Sequence, residues 1–521
     1  MYDSTEVLAE RYGPSYRWLV TVTGMVGVVA MVLSMTTVNV AVPDVMGAFG
    51  IGQDMAQWMS SAFAATMTFG MLLSAWVVGV LGERRTFIGS LAIFSCGAVL
   101  GGSAPNEDVL IFARVLQGFS SGVGQPLVMA IIFSVFPPER RGMAMGTFGL
   151  GVVFAPAIGP TLGGLMIEFF SWRYVFYVAL PFCLLAGILG SLFMPTQPLP
   201  KTVPRFDWIG FFLIGAALFG IMTGFAYGQS EGWDSDTIVA RLAGGTVASI
   251  LFVLWELRTD RPLLDVRMFA NGQFASAGIV AFIFGACMMG STYLVPVFVQ
   301  TTQGFTPLVS GLMMMPAGLM LAFIFPIAGR MADVLPPALM IMGGLIIFAI
   351  GFHFMSLADV NTVFWTLVLV TMVSRLGLGF INPSLNASSL KVLPPDKVRQ
   401  GAGATNFMRQ LGGALGTVSF VAVLETRGRF HAEALTATQD YANHATDRLV
   451  HQVETLLKTV GLTERIRHNA ALDYLGTVVH AQSQTLAFQD TFMVVGGVTL
   501  LALLPAYILS RSQRRDMRGA D

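Results

Sequence analysis

The sequence predicts an all-α integral membrane protein with fourteen transmembrane helices, and three observations lead to that fold class. Of the 521 residues, 54% are hydrophobic and only 12% are charged, which is about half the charged fraction of a soluble domain. Apolar runs of about 20 residues, the length that crosses a bilayer, recur along the chain. Several sequence motifs of the N-terminal part of the chain are repeated in the C-terminal part. A soluble or disordered protein is therefore excluded.

The predicted spans follow one another in chain order. The first, Trp18 to Pro43, contains no charged residue and lacks a convincing small-residue cleavage site, so it is interpreted as a retained span. The other runs lie near residues 57–81, 86–104, 108–135, 143–167, 172–195, 207–228, 238–255, 274–299, 308–329, 336–357, 362–390, 402–424 and 490–510. The even total places both termini on the same side of the membrane.

Basic residues predict which side that is, because Lys and Arg are enriched in cytoplasmic loops. With a cytoplasmic N-terminus, most of them fall on the cytoplasmic side. They include Arg84, Arg85, Arg140, Arg141, Lys397, Arg399 and the tail residues Arg511, Arg514, Arg515 and Arg518. We therefore expect both termini in the cytoplasm. The 30 basic residues balance 30 acidic ones, so bulk charge gives no reason to expect nucleic acid as a partner.

Polar side chains within the spans are the candidates for a transport pathway. Arg114, Arg375 and Arg409 lie at membrane depth, where a charge is costly unless it faces a cavity or a partner. The alternative is that each neutralises helix carbonyls or reaches an interface. Neutral polar residues accompany them at Ser34, Asn39, Gln117, Gln125, Asn382, Asn406 and Gln410. The chain also contains 40 Phe and 30 Met residues, and flexible Met side chains suit pockets that adapt to varied apolar guests. Neutral amides among such residues favour a bulky amphipathic substrate.

Several motifs occur twice. Arg114 to Gly118 is echoed by Arg375 to Gly379, and each span leads into a loop that begins with two prolines and an acid, at Pro137 and at Pro394. A third pair is 79–84 and 329–333. Internal repeats of several spans are typical of secondary transporters, whose site lies between the halves near the midplane.

The order and spacing of further motifs resemble those of a known protein family. They are Leu33 to Pro43 in the first span, Arg114 with Gln117 and Gly118 in the fourth, Gly159 to Gly164 with Gly146 upstream in the fifth, and Phe206 to Gly210. Together they resemble the fourteen-span drug:proton antiporters of the major facilitator superfamily, typified by EmrB and QacA. The resemblance implies a six-helix bundle in 1–200, two additional spans in 201–260, and a second six-helix bundle in 261–521 that includes an outer loop at 425–489.

The resemblance also implies roles for two groups of residues. Gly146, Gly159, Pro160, Gly163 and Gly164 would form the antiporter motif, a bend that seals the two halves against leak; a plain tight helix crossing is the alternative. Glu83, Arg84 and Asp333 would form a cytoplasmic latch, in which a carboxylate pairs with a basic residue or a helix N-terminus. Both copies of the latch are shortened relative to the family pattern.

The sequence departs from the family pattern at one position that matters for proton coupling. The related antiporters have an aspartate where this chain has Ser34, and serine cannot titrate. If protons drive transport, the carriers that remain are Asp44, Glu168, His353 and Glu425. Alternatively, Arg114 alternates between a carboxylate partner and water.

The segment from Glu425 to Gln489 is the one soluble-like stretch. Apolar residues at helical spacing predict one helix over 449–460 and a second after Gly461. Its five histidines match no tight metal signature, so neither a metal nor a cofactor is expected. Similar loops in EmrB-like pumps imply a periplasmic adaptor and a TolC-like outer-membrane channel, and hence a bacterial inner membrane; a lone pump without an adaptor is the alternative.

The sequence thus predicts a proton-driven exporter of hydrophobic or amphipathic drug-like compounds that works by alternating access. Its expected partners are the bilayer, the small substrate, the proton and the adaptor with its channel. A dedicated metabolite exporter and a facilitator without proton coupling remain open because of Ser34. An intramembrane enzyme lacks a convincing catalytic arrangement, and the internal repeat disfavours a channel or receptor.

Overall fold

A computed structural model describes residues 5–51, 53–196, 206–260, 262–439, 443–459 and 463–509. Helices dominate this part of the chain, and it contains no strand. The helices are α1 (Thr5–Tyr12), α2 (Tyr16–Val40), α3 (Val42–Phe49), α4 (Gln53–Leu81), α5 (Glu83–Gly102), α6 (Glu107–Val135), α7 (Arg141–Phe169), α8 (Tyr174–Tyr177), α9 (Leu180–Phe193), α10 (Trp208–Glu231), α11 (Asp236–Glu256), α12 (Gly272–Thr301), α13 (Pro307–Val334), α14 (Pro337–Met355), α15 (Phe364–Lys391), α16 (Val398–Thr436), α17 (His444–Lys458) and α18 (Glu464–Leu501).

Thirteen segments of the described residues are long and apolar enough to cross a membrane. The helix α7, with 29 residues, lies where the sequence predicts the remaining fifth span. The predicted sixth span is broken, because α8 ends at Tyr177 and α9 begins at Leu180, just before Pro181. The multi-pass, all-α architecture expected from the sequence is confirmed.

The interior consists of two large apolar clusters. One is drawn mainly from α2 to α11, and the other from α12 to α18. The first cluster also takes in Ala387, Leu390 and Phe407 of α15 and α16, so the two halves of the chain share a core at that point. Large apolar side chains such as Leu184, Phe323 and Leu504 are exposed on the outside, as expected for a surface that faces lipid.

Glycines allow the closest helix contacts. A Cβ on Gly122 would lie 2.1 Å from the Met67 carbonyl oxygen of α4, and one on Gly377 would lie 2.5 Å from the Gly344 oxygen of α14. Neither position can carry a side chain without separating the helices. Such small-residue contacts replace the hydrophobic effect as the source of helix association in lipid.

The helices α10 and α11 form a hairpin that packs where α4 of the first half meets α16 of the second half. Gly220 and Gly245 bring its two arms together. Aromatic rings attach it to α4, with ring centroids 4.5 Å apart for Phe69 and Phe211 and 4.7 Å apart for Trp76 and Phe206.

The segment 425–489 is more regular than the sequence predicts. The predicted first helix corresponds to α17, but the predicted second helix is the first part of α18, which continues without a break into the last apolar span. The helix α16 likewise extends to Thr436. Asp490 joins the two long helices, because its Oδ2 accepts hydrogen bonds from Arg427 Nε at 2.6 Å and from His431 Nε2 at 2.7 Å.

Candidate functional site

Arg114 lies at the centre of a buried polar site in the first half. Its side chain is fully buried. Its Nε donates to the Met59 carbonyl oxygen at 2.9 Å, and its Nη1 donates to Gln117 Oε1 at 2.9 Å and to Ser34 Oγ at 3.4 Å. The guanidinium lies 4.3 Å from the centroid of the Phe63 ring. Three of the predicted pathway residues therefore meet in one site.

The packing of α6 explains this geometry. Gly118, one turn beyond Arg114, has no room for a Cβ, since the Phe63 carbonyl oxygen would lie at 2.3 Å. The close approach of α4 brings the Met59 carbonyl and the Phe63 ring against the guanidinium. Gln117 completes the site by donating from Nε2 to Ser34 Oγ at 3.3 Å. Ser34 thus accepts hydrogen bonds where the family aspartate would supply a charge.

The corresponding arginine of the second half has a similar neighbour. Arg375 Nη1 donates to Ser291 Oγ at 3.3 Å, and its Nη2 donates to Thr292 Oγ1 at 3.2 Å. Both arginines therefore contact a serine of the first long helix of their own half, Ser34 on α2 and Ser291 on α12. Arg375 is not part of the Arg114 site.

A second polar cluster lies between the halves. We call it the amide cluster; it consists of Asn382 and Asn386 on α15 and Asn406 and Arg409 on α16. Arg409 donates from Nη1 to Asn382 Oδ1 at 3.4 Å and from Nη2 to Asn406 Oδ1. Asn386 Nδ2 also donates to Asn382 Oδ1, at 3.1 Å.

Two helices of the first half border this cluster. Asn406 Nδ2 lies 3.0 Å from the sulfur of Met129 on α6, and a Cβ on Gly149 of α7 would lie 3.6 Å from Asn382 Nδ2. Of the remaining predicted pathway residues, Gln125 is buried and Gln410 is half-buried. The side chain of Asn39 lies outside the described part of the structure.

The glycines of the predicted antiporter motif face three different environments. A Cβ on Gly146 would lie 2.4 Å from the Phe325 carbonyl oxygen of α13, in the second half. Cβ atoms on Gly159 and Gly163 would meet Thr36 Oγ1 at 2.0 Å and the Thr37 carbonyl oxygen at 2.9 Å, both on α2. A Cβ on Gly164 would meet nothing within 4 Å. The side chain of Pro160 is not among those described.

The predicted latch residues lie at helix ends, Glu83 and Arg84 at the start of α5 and Asp333 near the end of α13. Asp333 Oδ1 accepts from Gly142 N at 2.6 Å and its Oδ2 accepts from Met143 N at 2.9 Å, so this carboxylate caps the N-terminus of α7. Glu83 lies within electrostatic range of Arg399 in the first turn of α16. Arg84 instead donates from Nη1 to Thr196 Oγ1 at 3.1 Å.

The predicted proton carriers do not gather at these sites. Asp44, Glu168, His353 and Glu425 are all exposed, and none is a hydrogen-bond partner of Arg114 among the described residues. Their role stays a prediction.

One buried carboxylate was not selected from the sequence. Glu256, the last residue of α11, is fully buried, and neither of its oxygens accepts a hydrogen bond of normal geometry from the described residues. Asp207 and Asp265 are its charged neighbours. Its position at a helix end gave no sign of this burial.

Comparisons with known proteins agree on one family. Residues 24–417 match the model of the Major Facilitator Superfamily. The chain is 33% identical to the uncharacterized MFS-type transporter YcnB of Bacillus subtilis over 77% of this chain and 85% of that protein. It is 27% identical to the lincomycin resistance protein LmrB of Listeria innocua over 77% and 85%. It is also 27% identical to the probable multidrug resistance protein EmrY of Escherichia coli over 82% and 84%.

Solved structures show the same fold at lower identity. The human organic anion transporter MFSD10 aligns with a TM-score of 0.62 at 14% identity, covering 95% of this chain and 99% of that one. The proton:xylose symporter XylE aligns with a TM-score of 0.61 at 14% identity, covering 95% of each chain.

Proposed function

Because the chain belongs to the Major Facilitator Superfamily, and is thus a transporter rather than an enzyme, we propose that it exports hydrophobic or amphipathic drug-like compounds by alternating access. Relatives named for lincomycin resistance and for multidrug resistance support this choice of substrates. We propose further that export is driven by proton antiport, as in the antiporter family that the motifs resemble.

The observation that carries the proposal is the pair of contacts between the halves. On α7, Gly142 and Gly146 approach Gly329 of α13. On α16, a Cβ on Gly403 would lie 2.8 Å from the Met71 carbonyl oxygen of α4. We call these two contacts, α7 with α13 and α4 with α16, the seams. Both lie toward the end of the bundle where Asp333 caps α7 and Glu83 lies within electrostatic range of Arg399.

Beyond these seams, α7 and α16 return to their own halves. Gly159 of α7 packs on α2, and Gly412 of α16 packs on the Phe282 carbonyl of α12. Two repeat-related seams at one end, with the amide cluster between the halves, suit a transporter that closes one entrance while its other side opens.

The proposal includes the arrangement in the membrane. The two six-helix bundles, 1–200 and 261–521, would rock about the central region, with the two additional spans in 201–260. Both termini would lie on the cytoplasmic side of a bacterial inner membrane. The segment 425–489 would lie in the periplasm, where an adaptor and a TolC-like channel would complete a tripartite pump.

Efflux from proteoliposomes tests this function. Wild-type protein should export amphipathic dyes against their gradient, and Arg114→Ala should abolish export while the protein still inserts. Arg114→Ala removes the bonds to Met59 and Gln117 and the contact with Phe63. Normal efflux by Arg114→Ala would refute the assigned role. Arg173→Ala, at an arginine that donates to the Ala104 carbonyl outside this site, is the matched control.

A facilitator without proton coupling, or a dedicated metabolite exporter, is the second candidate. The observation in its favour is that Arg114 donates to Ser34 Oγ and, among the described residues, to no carboxylate. Collapse of the proton gradient separates the mechanisms, because uphill export that survives the collapse is incompatible with proton antiport.

A further inference from the structure

Three buried arginines lie within the membrane-spanning helices without an acidic partner among the described residues. Arg114, Arg375 and Arg409 are at most 9% exposed. Their hydrogen-bond partners are backbone carbonyls, hydroxyls and amides, and no carboxylate of the described residues pairs with any of them. Buried charges are normally paired, or they face a cavity that admits a partner.

Arg409 is the arginine whose polar cluster lies between the two halves. Its partners Asn382 and Asn406 are neutral amides, so its charge is solvated but not neutralised. Arginine has five N–H donors, and the bonds to these amides involve two of its nitrogens, Nη1 and Nη2. Arg114 also has a buried nitrogen, Nη2, without a hydrogen-bond partner among the described residues, but it is enclosed within the first half by Met59, Gln117 and Phe63.

Apolar groups flank the same place. The Met129 sulfur lies 3.0 Å from Asn406 Nδ2. Gly149 faces both the Phe325 ring and the Asn382 amide, with distances of 3.4 Å and 3.6 Å from a built Cβ. At this junction of α6, α7, α13, α15 and α16, the amides that accept from Arg409 thus lie close to an aromatic ring and a thioether.

We propose that the substrate is an amphipathic organic anion, a carboxylate on an apolar body, and that Arg409 binds the carboxylate while Met129 and Phe325 contact the body. This inference rests on the proposed export function and narrows its substrate class. A planar carboxylate matches the fork of the guanidinium. An ammonium-bearing compound would instead add a fourth positive charge to three arginines that have no acidic partner in the described part of the chain.

A matched set of fluorescent compounds tests the inference: an aromatic carboxylate, its methyl ester and its aminomethyl analogue. Binding to, and export by, the full-length protein in proteoliposomes are measured for each. We expect the carboxylate to bind about tenfold or more tightly than the ester, as charge-assisted hydrogen bonds provide. Arg409→Gln should bring this ratio close to one, and Arg409→Lys should retain part of it.

A second pair of variants avoids Arg409. Ser34→Asp places a carboxylate near Arg114 Nη1, which lies 3.4 Å from the present Oγ, while Ser34→Asn has nearly the same shape without charge. We expect Ser34→Asp to reduce the preference for the carboxylate relative to Ser34→Asn. Equal binding of all three compounds by the wild type, or an unchanged preference in Arg409→Gln, would overturn the inference.

The two proposals fail in different ways. If the wild type exports the amine or the ester but not the carboxylate, efflux stands and the anion inference falls. If it exports none of the three and no amphipathic dye, the export function itself is wrong.

Discussion

The two parts of helix α7 have different neighbours. The first part, which contains Gly142 and Gly146, packs across the molecule on α13, whereas the later part, which contains Gly159 and Gly163, packs on α2 of its own half. A single glycine-rich helix therefore forms one contact between the halves, which the proposed alternating access would open, and another within the first half, which it would leave closed. The residues of the predicted antiporter motif thus form two kinds of helix contact that the sequence does not distinguish.

The first prediction has the largest expected effect and concerns the seam between the halves. In Gly146→Val, the new Cβ would lie 2.4 Å from the Phe325 carbonyl oxygen and 3.0 Å from Gly329 Cα. Backbone atoms cannot rotate away, so the closed seam should be destabilised by about 1–3 kcal/mol, or about 5–150-fold in its population. We expect export to fall by at least that order while the amount of inserted protein stays near normal.

Gly151→Val is the matched control for that experiment. It lies on the same helix, but a Cβ there meets only the flexible Met25 side chain, at 3.6 Å or more. If Gly146→Val transports like Gly151→Val, the α7–α13 contact does not participate in the transport cycle.

The second prediction concerns the contact within the first half. Gly159→Ala would place its Cβ 2.0 Å from Thr36 Oγ1, and Thr36 is stiff because it is β-branched. We expect a loss of about 1–3 kcal/mol in the free energy of unfolding, seen as earlier thermal unfolding in detergent. Export per folded molecule should change less than in Gly146→Val.

Thr36→Ala tests the cause of that instability. The double variant Gly159→Ala/Thr36→Ala removes the hydroxyl from the clash and should recover part of the lost stability. If the double variant is no more stable than Gly159→Ala, the Thr36 side chain is not the source of the strain.

The sequence predicted the Arg114 site in part. The spacing of Arg114 and Gln117 places both on one face of α6, and the first-span motif marked Ser34. The Met59 carbonyl could not be predicted, since a backbone oxygen has no residue-type signature. The Phe63 ring was also missed, because phenylalanine is common throughout an apolar chain and its spacing reveals packing rather than cation contact.

Other features of the sites could not be predicted because they depend on packing between residues that are far apart in the sequence. Arg375 and Arg409 both lie in apolar spans, but only Arg409 meets the amides of Asn382 and Asn406. Which face of α15 or α16 turns inward depends on glycine contacts such as that of Gly285 with the Arg409 backbone. The sequence of one helix does not reveal which residues of another helix it will contact. The span positions, by contrast, follow from local hydropathy, and the prediction of them holds.

The third prediction has the smallest expected effect. It concerns Gly164, the motif glycine for which neither α2 nor α13 provides a close contact. A Cβ on Gly164 meets nothing within 4 Å, and alanine favours a helix over glycine by about 1 kcal/mol. Gly164→Ala should therefore leave export unchanged and should stabilise the protein slightly or not at all. If instead its export falls as in Gly146→Val, Gly164 must approach another helix in a second conformation of the cycle. The division of α7 into a moving part and a fixed part would then have to be redrawn, because its later part would also change neighbours during transport.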